Sequence, residues 1–344
     1  PASVQQPPFD FFTQLEEDRP MLNTWVGEMY LECHRGTYTS QAKNKFYNRK
    51  IEFGLRQLEL WSVLALIKLG REYPAEELQA MWKEMLLYQF HDVLPGSSIT
   101  RVYDECLAGY EKIVKKIDSL QEKSDRVFAE QIDTSTMSYP TVVTNSLSWG
   151  RTEWLCLNDA WVKVTVPPLG YTTIDTENPT VPEEPEGVKV GETGIENNLL
   201  RIVCDKEGNI ISVYDKEHER EIAKPGELCN QLVLYDDDGD AWDISILYHR
   251  FEPVILKRES VEIYKDGPLG IMENRYSYNK SSIRQRVVLL EDTRRIDFVT
   301  EVDWQEDNTM LKARFPVSVV TDKVTCEIQY GHINRANHWN TSWD

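Results

Sequence analysis

The feature that most constrains this chain is a change of hydrophobic period partway along it. Before about residue 138 apolar side chains recur every three or four positions, and after it they alternate in short runs parted by turn residues. One uniform layer cannot satisfy both periods. The pattern predicts helices followed by antiparallel strands, an α+β chain with the two kinds of structure in separate domains.

In the helical half, Thr37-Tyr38-Thr39-Ser40 offers N-cap oxygens before a long run free of proline. Ile51, Leu55, Leu58, Ser62, Ala65 and Leu69 then share one helical face. Leu60, Leu64 and Ile67 lie on another, which predicts a helix buried on two sides and ended by Gly70. Pro74 starts a second helix with Leu78, Met81, Trp82, Met85 and Tyr88 as its stripe. It runs into His91-Asp92 and breaks at Pro95-Gly96. Ser97 or Ser98 is placed to cap a third helix, striped by Ile99, Val102, Tyr103, Cys106, Leu107, Tyr110, Ile113, Val114 and Ile117. A bundle of three antiparallel helices is the economical reading.

Beyond it, residues 142–143, 162–166, 199–203 and 210–214 are β-rich runs separated by pairs such as Pro167-Pro168 and Gly208-Asn209. Alternation continues through residues 283–288, 296–299 and 324–328, and predicts a large antiparallel sandwich. Residues 176–192, rich in Pro and Glu, read as a linker or edge loop. The expected division is an N-terminal segment 1–39, the bundle 40–137, a small β region with linker 138–192, and the sandwich 193–344.

Composition narrows the function classes. With 41% hydrophobic and 28% charged residues the chain is an ordinary globular one, and no run of eighteen apolar residues predicts a membrane span. A formal charge of −19 argues against a nucleic-acid partner, whose phosphates call for Lys and Arg. Six scattered cysteines without a CxxC pair read as reduced thiols of a cytoplasmic protein. The sequons at Asn279 and Asn340 are expected by chance. A start at Pro1-Ala2 without Met, and an end at Trp343-Asp344 without a stop signal, predict a piece of something longer.

None of the histidines at 34, 91, 218, 249, 332 and 338 begins an H-x-D, H-x-H or HExxH pattern, and GxSxG, P-loop and GxGxxG motifs are missing. His91-Asp92 stands out, because the carbonyls ending a helix favour a cation and imidazole is a good zinc ligand. Equally, His91 could cap carbonyls while Asp92 bonds turn amides. Glu28 and Glu32 could form a carboxylate pair or sit on an ordinary charged surface. Asp240-Ala241-Trp242-Asp243 suits sugar stacking, or a buried Trp beside a solvated turn. Asp236-Asp237-Asp238 could attract a cation, but the closing Glu of an EF-hand is absent.

Several ordered strings together resemble glycoside hydrolase family 38, in its cytosolic, vacuolar and bacterial α-mannosidase branch. They are WVGEMYLECHRGTYT (25–39), NRKIE (48–52), QFHDVLPGSS (89–98), NSLSWGR from 145, GNIISVYDK from 208, DAWD (240–243), LKARFP (311–316), GHINR from 331 and the terminal NTSWD. The resemblance implies a retaining exo-α-mannosidase with one zinc ion, acting on mannose-containing oligosaccharides. It makes His91 a zinc ligand and Asp92 a contact to the bound mannose, and it makes the β half a galactose-mutarotase-like supersandwich. The family's α/β domain, with its H-x-D pair, nucleophile and acid, is missing from these residues, so this stretch alone is expected neither to hold zinc nor to catalyse. Competing readings are a non-catalytic carbohydrate-binding or scaffold module, and a stand-alone sugar mutarotase or epimerase. A homo-oligomer is compatible with all of them.

Overall fold

The computed structural model describes residues 5–24, 32–177, 187–237, 239–245, 247–328 and 331–338. They form two compact units, Cys33–Val319 and a smaller one combining Pro1–Glu32 with Val320–Asp344. The order is helices α1 (Pro8–Glu17), α2 (Ala42–Leu69), α3 (Ala75–Tyr88) and α4 (Thr100–Ala129), then strands. Within the smaller unit lie α1 and, near the other chain end, a hairpin introduced below.

Helices α2, α3 and α4 share one core. Ile51, Leu55 and Leu58 meet Leu78, Met81 and Met85, and both rows meet Tyr103, Cys106, Tyr110 and Ile113. Each fully buried Leu or Ile contributes about 1.5–3 kcal/mol, which outweighs the weak intrinsic preference of any one turn. Tyr110 sits at the centre, stacked on Tyr47 at 5.8 Å and edge-on to Tyr88 at 4.8 Å. The first apolar row of α2 behaves as its period predicts. The second does so only in part: Leu60 and Leu64 are half-buried while Ile67 is 69% exposed, so α2 buries one face fully. With only α3 and α4 sharing its core, the outward row of the longer α2 has no helical neighbour.

The helix ends also differ from expectation. Gln41, left-handed at φ 53°, stands at the N-cap of α2 without a side-chain cap, and residues 32–38 wind as a 3-10 helix. Ile99 stands at the N-cap of α4 and is 71% exposed, while Ser97 and Ser98 bond elsewhere. Gly70 does close α2 in the left-handed region, its N–H on Leu66 O.

The strands follow. β1 (Pro140–Thr144) pairs with β4 (Tyr171–Asp175), and β2 (Arg151–Leu157) with β3 (Ala160–Val166). Val162, Val164 and Val166 alternate inward from β3 onto Val143, Leu155 and Ile174. A five-stranded sheet runs in chain order through β5 (Lys189–Gly191), β6 (Gly194–Glu196), β7 (Leu200–Cys204), β8 (Ile210–Asp215) and β9 (Arg220–Glu221). β10 (Gln231–Asp236) lies between β11 (Val254–Ile255) and the later β16. A four-stranded meander comprises β12 (Arg258–Asp266), β13 (Leu269–Tyr278), β14 (Ser281–Leu290) and β15 (Ile296–Asp303). β16 (Thr309–Arg314) precedes the hairpin of the smaller unit, β17 (Lys323–Ile328) with β18 (Gly331–Ala336).

Ile195, Ile202 and Ile210 of the five-stranded sheet pack on Met272, Val287 and Leu289 of the meander. Leu232 and Leu234 of β10 pack on Tyr276 and Ile283. Every ladder among the described residues is antiparallel. Helices followed by antiparallel sheets is therefore the architecture, as the change of period requires. No helix among the described residues is long and apolar enough to cross a membrane.

Candidate functional site

The segment from Gln89 to Ser98 is held by side chains of α2, by Tyr103 of α4 and by its own turn bonds. Gln89 Nε2 donates to Asn48 Oδ1 at 3.0 Å and to Glu52 Oε1 at 3.1 Å. Asn44 Nδ2 donates to Val93 O at 2.6 Å, and Lys45 Nζ to Leu94 O at 2.8 Å and Pro95 O at 3.0 Å. Asn44 and Asn48 lie on the buried face that continues through Ile51 and Leu55, with Asn44 only 1% exposed. A buried amide must find partners, and the carbonyls of an irregular turn need donors. Each need meets the other here.

A second junction brings in sequence from far away. Lys45 Nζ also donates to Ser40 O, and Ser40 Oγ donates to Gly36 O at 3.0 Å and to Ala241 O at 3.0 Å. Gly36 N donates to Trp242 O at 2.8 Å. Gly96, at φ 95°, passes so close that an added Cβ would lie 2.6 Å from Ser40 O. Burial pulls the Lys45 ammonium down to about 8. Residues 36–40, 89–98 and 240–243, far apart in sequence, thus meet around Ser40 and Lys45.

His91 and Asp92 project from this frame. His91 Nε2 lies 3.5 Å from Asp92 Oδ2, with 77% and 45% of their side chains exposed. The His91 ring packs on Phe90 at 4.2 Å between centroids. Asp92 Oδ1 accepts from Ser97 Oγ at 3.3 Å, and Asp92 O accepts from Tyr103 OH at 3.1 Å. The turn amides considered as Asp92's partners are not among the bonds found for its carboxylate. An imidazole and a carboxylate are held side by side, open to an approaching ligand, while their main chain is tied down behind them.

Asp240 has a structural task. Its Oδ1 accepts from Trp242 N at 2.8 Å and Asp243 N at 2.9 Å, and these bonds hold its carboxyl below the usual range. Trp242 is 41% exposed, so of the two readings of this stretch the buried Trp is set aside: the turn is pinned by main-chain bonds, which leaves the ring facing outward. Glu28 and Asp238 lie outside the described residues, as does the Glu32 side chain. The residues that sequence reasoning passed over are Asn44, Lys45, Ser40 and Tyr103. A signal existed for one of them: stepping back from Ile51 by helical spacing reaches Asn48 and then Asn44, polar residues on an otherwise apolar face.

As to metal, His91 and Asp92 supply one imidazole and one carboxylate, both suitable donors for zinc. Among the described residues no group of three or more His, Cys, Asp or Glu comes together. The pair fits one side of a zinc site.

Comparison with known proteins gives the family and the fold. The profile described as "Alpha mannosidase middle domain" matches residues 32–128, and that of the "Glycosyl hydrolases family 38 C-terminal domain" matches residues 195–344. The chain is 35% identical to human alpha-mannosidase 2C1 over 98% of its own length, and 30% identical to alpha-mannosidase G of Dictyostelium discoideum over 98%. It spans 34% and 37% of the lengths of these two relatives. A glycosyl hydrolase family 38 protein from Enterococcus faecalis shares the fold, with a TM-score of 0.77 at 14% identity, over 96% of this chain and 51% of the other. On the two matching domains and these relatives, the chain belongs to glycosyl hydrolase family 38.

Proposed function

We propose that the chain forms the helical and sandwich part of a zinc-dependent retaining exo-α-mannosidase that releases terminal α-mannosyl residues from oligosaccharides. The observation that supports it most is the convergence of three separate segments on one turn bearing an exposed imidazole–carboxylate pair. The relatives' names point the same way. His91 offers a ring nitrogen to the metal, and Asp92 offers a carboxylate oxygen to a sugar hydroxyl beside it. When bound, zinc supplies a Lewis acid that grips adjacent sugar hydroxyls. Gln89, Asn44 and Lys45 keep the backbone carrying both groups in place. On this reading the nucleophile, the general acid and the remaining ligands come from sequence beyond these residues, and residues 1–39 are the end of that catalytic domain. Residues 40–137 are the bundle, 138–192 a small β region with its linker, and 193–344 belong to a supersandwich. The unpaired state of Cys106, Cys156, Cys204, Cys229 and Cys326 supports a reducing compartment, the cytoplasm.

The test uses the full-length enzyme. His91→Ala is expected to lose zinc and turnover together with little change in melting temperature. Asp92→Asn keeps the shape but loses the charge, so zinc stays while turnover falls by about 2–4 kcal/mol of transition-state stabilisation. A purely structural turn predicts the reverse: a stability cost of ~0.5–2 kcal/mol with normal kinetics. Wild-type turnover in His91→Ala sinks the proposal.

A further inference from the structure

At the other end of α2, about 24 Å along the helix from Lys45, a cleft of about 450 Å³ opens between α2, the last turns of α4 and the β1–β4 sheet. Arg56 donates to Ser146 O at 3.2 Å and so ties α2 to the small β region that forms the far wall. We infer that this cleft binds a neutral oligosaccharide, as a carbohydrate site additional to the His91–Asp92 turn.

The lining carries the two kinds of group that saccharides need. One is aromatic surface. Trp61, 6% exposed, packs edge-on against Phe128 at 5.4 Å, and both line the cleft with Tyr171 of β4, which is 52% exposed. Flat rings with an apolar face and a polar edge match the C–H face and hydroxyl rim of a pyranose. The other is unspent hydrogen-bonding capacity. Trp61 Nε1 is buried without a partner among the described residues, a state that costs free energy and that an occupant relieves only if the cleft wall opens around the ring. Asp125 Oδ1 takes the Gln121 amide at 2.7 Å, which leaves its second oxygen to accept. Surrounding protein holds the Asp125 carboxyl above the usual range although the side chain reaches solvent, as suits a group at a cleft mouth.

The charge pattern selects the class of ligand. Arg126 is paired with Glu122 at 3.0 Å, so the one lining cation already carries a counter-charge. Asp125 is the single carboxylate left, and it is engaged by an amide. A phosphate therefore finds no unshared cation, while sugar hydroxyls can donate to the open Asp125 oxygen. The volume lies within the range of about 300–1,000 Å³ usual for small-molecule sites and exceeds what one hexose needs.

Only the choice of an α-mannoside as one probe rests on the proposed function. Saturation-transfer NMR is to be run on full-length protein with linear α-mannotriose and, separately, maltotriose. It uses a His91→Ala background so that turnover does not consume the probe. The expected result is transfer to ring C–H protons of at least one trisaccharide, with affinity about tenfold weaker in Tyr171→Ala, the loss of one stacking face. Tyr171→Phe, which keeps the ring, should restore it. Binding of maltotriose alone supports the cleft while counting against the mannosidase reading, which separates the two. Absence of transfer from either sugar at millimolar concentration overturns the inference, as does equal binding by wild-type residue 171 and Tyr171→Ala.

Discussion

In the helical region, the buried polar side chains Asn44 and Asn48, with Lys45 beside them, serve a turn, whereas in the meander Glu273 and Gln285 serve strands that are already paired. Around Gln89–Ser98 the donors belong to side chains and the acceptors include the main-chain carbonyls of Val93, Leu94 and Pro95. In β13 and β14 the main chain is fixed by its ladder from Leu269↔Leu290 to Tyr278↔Ser281. There the side chains bond to one another: Asn230 to Gln285 at 2.7 Å, and Gln285 to Thr300 at 3.1 Å. A ladder specifies its own backbone, and side-chain networks add to it. An irregular turn has no ladder, so its side-chain donors specify the path. Substitutions in the first network should therefore disturb geometry, and those in the second only stability.

The largest effect is expected from Lys45→Met. It leaves three carbonyls without their donor, at about 2–4 kcal/mol in total, since bonds to a charged group are the stronger kind and some water can enter. Amide hydrogen exchange over residues 90–96 should quicken, and turnover of the full-length enzyme should fall with it. Unchanged exchange there breaks the comparison, because the turn would then hold its shape without α2. Next comes Gly96→Ala. The position sits at φ 95°, and the new Cβ meets Ser40 O, so a loss of about 1–3 kcal/mol in thermal stability is expected. Ser40 is the residue that links this turn to Ala241, and a shift there should also raise exchange at Trp242 and Asp243, whose amides bond Asp240.

The same contrast explains what could be read from the sequence. β14 buries every second residue from Ser281 to Leu289, and α4 buries Tyr103, Cys106, Tyr110, Ile113 and Ile117, because regular elements present a fixed period to one core. The second row of α2 misled, since a period shows that a face is apolar and not that a neighbour covers it. The caps misled too: Ser40, Ser97 and Thr37 have the right chemistry for capping, but Ser40 bonds the distant Ala241 carbonyl and Ser97 the nearby Asp92 carboxylate. For the candidate site, spacing pointed to His91-Asp92 and left its task open; the zinc reading came from resemblance. The knot behind it joins Lys45, Ser40 and Ala241, and the cleft joins Trp61, Asp125 and Tyr171. No local pattern encodes partners separated by so much chain.

The smallest effect is expected from Glu273→Gln in the meander. Arg284 grips the Glu273 carboxylate with two bonds, at 3.0 and 2.8 Å, and Arg275 adds a third at 2.6 Å. Both arginines reach solvent, with 38% and 55% of their side chains exposed, so the amide should cost only about 1–2 kcal/mol after screening. The Arg284 hydrogen bonds, opposed by burial, hold the Glu273 carboxyl below the usual range. A folded-state value below the unfolded one, near ~4.3, means the stabilisation is whole above the unfolded value. It is lost as pH falls through the folded value. The gap in melting temperature between the parent protein and Glu273→Gln should therefore be widest near neutral pH and close in acid. Exchange over residues 269–290 should keep its pattern, because the ladder remains. A gap that stays constant down to acid pH, or a local rise in exchange confined to β13, means that the charged pair itself shapes the strand. The two networks would then differ in degree and not in kind.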